Sequence, residues 1–224
     1  MDSYNPPPVT VDGIVFQLLD GKLQLLLIRR AREPFKDEWA LPGGYVSSHE
    51  TTTAALERVL AAKAGMRRKD AGLIDQLYTF DMPAVQDPRG HAVSIAYMVL
   101  CRDFTPAEHA TTETPTFFPV DALPALAYDH ADIVRYAHER LRSKILYTNT
   151  VHTLIPPHFT LTQLQQAYEA IIGRALDKRN FRKKFLSLGL AEATDEYTAE
   201  GAHRPARLYR FTRDELQVLS RSFD

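Results

Sequence analysis

The most restrictive feature of the sequence is the stretch LPGGYVSSHETTTAALERVLAAKAGM at residues 41–66. Its Pro-Gly-Gly opening predicts a tight turn, because glycine reaches backbone conformations that other residues avoid. From Glu50 to Ala64, the apolar residues Leu56, Val59 and Leu60 lie on neighbouring helical turns, which predicts a helix. A strand before the turn, the turn itself and the helix must all fit one local architecture. Few folds satisfy this requirement.

Runs of β-branched and aromatic residues on both sides of this stretch predict a sheet. Two of the runs flank Asp20-Gly21, which is a strong signal for a β-hairpin. The predicted strands are residues 9–19, 22–30, 72–80, 91–101 and 114–120. A sheet with a single helix inserted after a glycine turn indicates a mixed α/β sandwich.

The stretch at residues 41–66 resembles the Nudix box. The positions that fit the family pattern are Gly44, Glu50, Arg58, Leu60, Gly65 and Met66. The resemblance implies an α+β chain whose N-terminal domain is a Nudix-like α/β/α sandwich with a mixed sheet. It also implies a structural salt bridge between Glu50 and Arg58.

Nudix hydrolases cleave phosphoanhydrides with Mg²⁺-type ions, which require oxygen ligands. Carboxylates at positions i, i+3 and i+4 of the helix supply them from one face. In this chain those positions hold Val59, Ala62 and Lys63. An apolar side chain cannot bind the ion, an ammonium repels it, and the remaining Glu50 and Glu57 do not form the usual cluster. We therefore predict no metal site, no catalytic residues and no hydrolase activity.

Such a domain could still bind a nucleoside diphosphate if arginines replaced the metal as phosphate partners. Aromatic side chains near the turn could stack on a base or a ribose. For each residue singly, a surface or core role is equally compatible with the sequence. The candidate effector-binding residues are Arg30, Arg32, Phe35, Trp39, Gly43, Gly44, Glu50, Arg58 and Arg89.

Residues 129–145 place five apolar side chains at helical spacing and predict a linker helix. Either a core helix of the first domain or a connector or dimer helix fits this pattern. Residues 146–224 predict two capped helices, a hairpin at 191–211 and a short terminal helix. We predict a disordered segment at 1–8, an effector-binding domain at 9–145 and a DNA-binding domain at 146–224.

The second of these helices, residues 177–188, has two contrasting faces. Phe181 and Phe185 form a buried stripe, while Arg179 and Lys183 point away from it. A basic outer face on the second helix of a helix-turn-helix is typical of a recognition helix, although a merely solvated face has the same pattern. The candidate DNA-binding residues are Thr160, Gln163, Lys178, Arg179, Asn180, Arg182, Lys183, His203, Arg204 and Arg207.

Three further segments make the resemblance more specific. LAYDHADIV (126–134), FTLTQLQQAYEAIIG (159–173) and LDKRNFRKKF (176–185) are similar to segments of the Nudix-related transcriptional regulators of NAD metabolism, the NrtR family. The resemblance implies a bacterial homodimeric repressor with a winged helix-turn-helix. It also implies double-stranded operator DNA as partner, ADP-ribose as the effector and no required cofactor. Some relatives instead control sugar catabolism.

Two other functions remain compatible with the sequence. An active Nudix hydrolase would need metal ligands from outside the box, for which Asp37, Glu38, Asp81 and Asp87 are nearby. Alternatively, the first domain is a dimerisation block that binds no ligand. The lack of carboxylates at Val59, Ala62 and Lys63 disfavours the hydrolase. It does not distinguish an effector-binding domain from a dimerisation domain that binds no ligand.

Charge distribution and cysteine content indicate a binding partner and a cellular location. The 27 basic and 28 acidic residues nearly cancel, but residues 174–184 hold six basic residues against one acidic residue, so positive charge concentrates beside the predicted recognition helix. Cys101 is the only cysteine, which excludes an internal disulfide and favours a reducing compartment. The first residues do not resemble a signal peptide, and no apolar run is long enough to span a bilayer. A cytoplasmic protein without a membrane partner is expected.

Overall fold

The computed structural model describes residues 6–82, 90–107, 113–198 and 205–219, so residues 1–5 of the predicted disordered segment lie outside it. The chain divides into two compact units. The first comprises Met1–Gln17 and Gln24–Ala137, and the second comprises Leu18–Leu23 and His138–Asp224.

The first unit contains a mixed sheet of seven strands. They are β1 (Val9–Leu19), β2 (Lys22–Arg29), β3 (Trp39–Ala40), β4 (Gly43–Tyr45), β5 (Ala71–Met82), β6 (Ala92–Cys101) and β7 (Thr114–Pro119). The strand order is β3-β2-β1-β6-β5, with β4 paired to β1 and β7 paired to β2. β1 and β6 are parallel, and Asp12 lies opposite Ala96 in their register. The predicted strands and the mixed sheet are confirmed.

Helix α1 (Thr52–Ala64) covers one face of this sheet. Thr51 caps its start by accepting a hydrogen bond from the Ala54 amide, and Gly65 ends it in a left-handed conformation with a φ of 73°. The sequence predicts a helix that starts at Glu50. The observed helix begins two residues later, at Thr52. Its apolar side packs on Val11, Val15, Tyr97 and Val99. Burial of this stripe is the main source of the helix's stability.

Helix α2 (His130–Tyr147) begins on the opposite face of the sheet. Tyr136 contacts Tyr78 and Phe80 of β5, with ring centroids 5.1 and 5.8 Å apart. The first unit is therefore the α/β/α sandwich that the sequence predicts. The two units divide inside α2, after Ala137. A shared helix has no single boundary, and the predicted boundary after residue 145 stays a prediction.

The second unit contains α3 (Leu161–Ile172), α4 (Lys178–Ser187) and a hairpin of β8 (Ala191–Tyr197) and β9 (Arg207–Phe211). Gly173 ends α3, and Asp177 caps α4 by accepting a hydrogen bond from the Asn180 amide. An aromatic cluster joins these elements. Its members are Phe159, Tyr168, Phe181, Phe185 and Phe211.

The predicted short terminal helix is wrong for the residues described up to 219. The segment 213–219 forms no helix. Its backbone instead pairs with the end of α2, because Asn149 donates to the Gln217 carbonyl at 3.1 Å and Leu219 donates to the Tyr147 carbonyl at 2.8 Å. These long-range bonds satisfy groups that a helix would have satisfied locally.

Two expectations about setting can be compared with the fold. No helix in the described part of the chain is long and apolar enough to cross a membrane. Cys101 is fully buried, and burial chiefly raises the pKa of its thiol to about 12. The thiol therefore stays protonated and behaves as a core residue.

Candidate functional site

A cleft in the first unit lies where the glycine turn meets the sheet. Its empty volume is about 520 Å³, including space open to solvent. Gly43 and Gly44 line it on one side. Its charged and polar lining side chains are Thr10, Asp12, Arg30, Tyr45, Lys63, Ser94, Tyr128 and His130. A cleft with two cationic side chains, Arg30 and Lys63, and several hydrogen-bonding groups is suited to a polar, anionic small molecule.

Three buried polar side chains form the floor of the cleft. Asp12 accepts a hydrogen bond from the Ser94 hydroxyl. His130, the first residue of α2, accepts one from the Leu41 amide at its Nδ1, with a distance of 2.9 Å. When the ring is neutral, this bond places its proton on Nε2, which lies 3.7 Å from the Asp12 carboxylate. The floor therefore offers a fixed carboxylate to an incoming ligand.

Arg30 forms one wall and is held in place by its surroundings. Its Nε donates to the Pro34 carbonyl at 2.9 Å, and its guanidinium lies 5.1 Å from the ring centre of Tyr128. Phe35 also packs edge-on against the Tyr128 ring, with ring centroids 4.6 Å apart. Tyr128 has a φ of 58°, which a bulky side chain adopts only under strain. Tyr128 lies two residues before His130, the first residue of α2.

Close packing makes glycine necessary at the turn. A Cβ on Gly43 would overlap the Asp12 carboxylate, and a Cβ on Gly44 would lie 3.0 Å from a Val59 methyl. The turn thus passes between a side chain of β1 and a side chain of α1. A larger residue at position 43 would displace the Asp12 carboxylate, and one at position 44 would require the Val59 side chain to shift.

In this chain, the three helical positions that carry metal ligands in Nudix hydrolases have three different surroundings. Val59 is only 3% exposed and packs in the core, whereas Ala62 is exposed. Lys63 lines the cleft and pairs with Glu113 at 3.0 Å. These side chains do not fit a divalent cation. Among the described residues, no three His, Cys, Asp or Glu side chains form a group that could hold a metal.

The carboxylates that a hydrolase would have to recruit lie elsewhere or are already paired. Asp37 lies 3.7 Å from Arg29, and Asp81 lies 2.6 Å from His91. Asp87 lies outside the described residues, and Glu38 is not among the residues that line the cleft.

The predicted salt bridge between Glu50 and Arg58 is confirmed. Arg58 donates from Nε to Glu50 at 3.0 Å and from its terminal nitrogen to the Tyr45 carbonyl at 2.9 Å. The hydrogen bond from Arg58, followed by one from the Ser47 amide, lowers the pKa of Glu50 to about 2. The bridge fastens β4 to α1, and neither side chain lines the cleft.

Of the nine predicted effector-binding residues, the structure brings three to the cleft: Arg30, Gly43 and Gly44. Phe35 contributes indirectly through Tyr128. Trp39 packs against Phe118 with ring centroids 4.7 Å apart, outside the lining. Arg32 offers only its carbonyl, to Arg30, and Arg89 lies outside the described residues.

Sequence reasoning missed the floor of the cleft. Asp12 and Ser94 occupy the same sheet face on the parallel neighbours β1 and β6. His130 joins them from a helix that begins over a hundred residues after β1. The one local signal is a polar residue that interrupts an apolar strand, as Asp12 does between Val11 and Ile14. A buried polar residue of this kind needs a partner.

In the second unit, α4 has the predicted two faces. Phe181 and Phe185 are buried, whereas Lys178, Arg179, Asn180 and Lys183 are exposed. Arg182 is half-buried and donates to the Thr162 hydroxyl of α3 at 2.9 Å. That bond gives Arg182 a role in fastening the two helices together.

Three other DNA-binding candidates also have structural partners. Thr160 and Gln163 form a capping box at the start of α3, and Thr160 is buried. In the wing, Arg207 donates to the Thr194 carbonyl at 2.8 Å but stays exposed. His203 and Arg204 lie outside the described residues.

Comparison with known families identifies both units. Residues 9–137 match the model of the NUDIX domain, and residues 151–211 match the model of the NrtR DNA-binding winged helix domain. The ADPR responsive transcriptional repressor NtrR of Acinetobacter baylyi is 38% identical over 216 residues, which cover 93% of this chain and 83% of the relative. The chain belongs to the NrtR family. It is an α+β protein with a Nudix domain and a C-terminal winged helix domain.

Two other relatives of this NrtR-family chain are informative. Shewanella oneidensis NrtR, solved in complex with a 27mer DNA, has 29% identity and a TM-score of 0.75, covering 91% of this chain and 93% of that one. Its NUDIX domain, solved with ADP ribose, is also 29% identical, with a TM-score of 0.56 and coverages of 62% and 91%. An ADP-ribose pyrophosphatase of Methanocaldococcus jannaschii is 36% identical over 134 residues, 59% of this chain and 73% of the relative.

The contrast between Val59 and Ala62 yields a stability prediction. Val59→Glu should lower the free energy of unfolding by about 3 kcal/mol or more, because it buries a carboxylate without a partner in the core. Ala62→Glu introduces the same charge at an exposed position and should change it by no more than about 0.5 kcal/mol. Urea denaturation of both variants measures the difference. Equal losses would show that position 59 is not the buried site described above.

Proposed function

We propose that this chain is a dimeric transcriptional repressor that binds a palindromic operator through its winged helix domain and releases it when ADP-ribose binds the Nudix domain. Its targets would be genes of NAD metabolism, and it would act in the cytoplasm. Support comes from family membership and from relatives named as an ADPR responsive repressor or solved with DNA and with ADP ribose.

One observation carries the proposal. His130 lines the cleft and is also the first residue of α2, whose later turns belong to the second unit. A ligand in the cleft thus contacts the start of a helix that continues into the DNA-binding part of the chain. Dimerisation follows from the two-fold symmetry that winged-helix repressors share with their operators.

The cleft chemistry suits ADP-ribose. The Arg30 guanidinium can form paired hydrogen bonds with phosphate oxygens. The Asp12 carboxylate can accept hydrogen bonds from ribose hydroxyls. We propose these side chains, with Gly43 and Gly44, as effector contacts. Glu50 and Arg58 would support the site by holding β4.

The DNA contacts are proposed to come chiefly from the exposed face of α4. Arg179 and Asn180 have the donors and acceptors that read guanine and adenine in the major groove. Lys178 and Lys183 would contact phosphates, as would the wing through Arg207 and its neighbours. We keep Arg182, Thr160 and Gln163 as secondary candidates, because their side chains already bind within the second unit.

We also propose that the chain does not hydrolyse nucleoside diphosphates, because Val59, Ala62 and Lys63 do not supply metal ligands. The competing function, an active Nudix hydrolase, has specific support, since one relative is named as an ADP-ribose pyrophosphatase. Incubation with ADP-ribose and millimolar Mg²⁺ or Mn²⁺ should release no AMP above the rate without protein. AMP release on the order of 1 s⁻¹, abolished by Glu50→Gln, would establish the hydrolase instead.

The recognition helix gives a prediction about sequence specificity. Arg179→Ala should weaken binding to an operator duplex by about 1–3 kcal/mol and relax the preference for one base position. Lys183→Ala should weaken operator and unrelated DNA alike and reduce the salt dependence. Lys69→Ala, an equal charge change on the first unit, is the control. Fluorescence anisotropy on an operator selected from a random duplex pool measures all three, and equal effects would place the interface elsewhere.

The link through α2 predicts reciprocal coupling. Operator DNA should weaken ADP-ribose binding by the same factor by which ADP-ribose weakens operator binding, because coupling free energy is shared by both ligands. For a typical coupling of about 1–3 kcal/mol, the factor is about 5- to 150-fold. Calorimetric titration of ADP-ribose into free and operator-bound protein tests this. Equal affinities in the two titrations would mean that the first unit is not a sensor.

A further inference from the structure

The side chain of Lys63 lies in the cleft at a position where Nudix hydrolases carry a metal-binding carboxylate. Its ammonium nitrogen is 3.0 Å from a carboxylate oxygen of Glu113, and the two side chains are 23% and 16% exposed. Lys63 lines the same cleft as Arg30 and the glycine turn. This arrangement differs from a surface ion pair, because the cleft walls exclude part of the solvent that would screen the charges.

A divalent ion in this fold serves to neutralise the phosphates of a bound dinucleotide. An ammonium on the last turn of α1 supplies positive charge from the same helical position and needs no free ion. Glu113 balances this charge while no anion is bound. Lys63 has three donors, so it can keep a bond to Glu113 and still donate to a phosphate.

We propose that Lys63 is a built-in cation for the effector's diphosphate and replaces the divalent metal of the hydrolases. Glu113 positions the ammonium between binding events. This inference rests on the proposed function, since it assigns a contact within the proposed effector cleft. The proposal explains why position 63 holds a basic residue. A position on a solvated helix face would tolerate any polar side chain.

Three variants test the assignment: Lys63→Gln, Lys63→Arg and Glu113→Gln. The control is Lys69→Gln, which removes an exposed lysine outside the cleft. Calorimetry measures ADP-ribose binding to each full-length variant in EDTA and in millimolar Mg²⁺. Wild type should bind equally in both buffers. Lys63→Gln should bind about 10- to 100-fold more weakly, the value of one lost charge-assisted hydrogen bond, and Lys63→Arg should recover most of the loss.

Glu113→Gln separates a ligand contact from a purely structural ion pair. If Lys63 binds phosphate, removing the competing carboxylate should leave affinity unchanged or raise it. If the pair only supports the fold, both Gln variants should lose thermal stability and affinity together, and that result would overturn the proposal. Affinity of Lys63→Gln equal to that of Lys69→Gln would also overturn it, as would binding by wild type only in Mg²⁺.

Inorganic pyrophosphate distinguishes failure of this inference from failure of the proposed function. If wild type binds pyrophosphate but not ADP-ribose, and Lys63→Gln loses that binding, the cation assignment stands and the effector is another diphosphate. If wild type binds neither compound, both the assignment and the proposed effector are wrong.

Discussion

The first unit depends on how closely its glycine turn passes between a strand and a helix. Gly43 lies against the Asp12 carboxylate on one side, and Gly44 lies against Val59 on the other. The Pro42 carbonyl also accepts a hydrogen bond from the Gly13 amide at 2.9 Å. The two glycines therefore allow the turn to lie close to β1 and to α1 at once. The floor of the cleft and the buried face of the helix are set by the same contact.

The Arg58 side chain holds that close approach from outside. It joins Glu50, before the helix, to the Tyr45 carbonyl in β4. The bridge lowers the pKa of Glu50 from 4.5 to about 2, so its contribution to stability is fully present above pH 4.5 and is lost as the pH falls toward 2. At physiological pH the Glu50–Arg58 bridge is therefore intact, although Val59, Ala62 and Lys63 supply no carboxylate for the metal ions that the Nudix box binds in hydrolases. The bridge fastens β4, whose residues line the cleft, to α1.

Local patterns allowed much of the fold to be predicted. The strands, the two-faced α4 and the caps at Thr160, Asp177 and Gly173 follow from periodicity and cap chemistry within a few residues. The prediction of a terminal helix was wrong because residues near Gln217 pair with Asn149. These residues are far apart in the sequence, and hydrophobic periodicity reports only on local structure.

The cleft was predicted less completely, for the same physical reason. Arginines and glycines near the Nudix box could be identified, but several of them bind the scaffold itself, as Arg58 does. The floor combines Asp12, Ser94 and His130, which only the sheet register and the start of α2 bring together. Lys63 was interpreted as the loss of a ligand, because its position in the cleft opposite Glu113 is not visible in a helical pattern.

Tyr128 shows how the cleft can influence the rest of the chain. Its ring contacts Arg30 and Phe35, while its backbone, with a φ of 58°, lies two residues before the start of α2. A bulky residue held in this conformation stores about 1–3 kcal/mol. Typical allosteric coupling has the same size, about 1–3 kcal/mol. A ligand that displaced Arg30 or the ring, and so relaxed this one residue, would gain enough free energy to favour a different start of α2. Under the proposed function, coupling through the shared helix would then require no change in the core of the sheet.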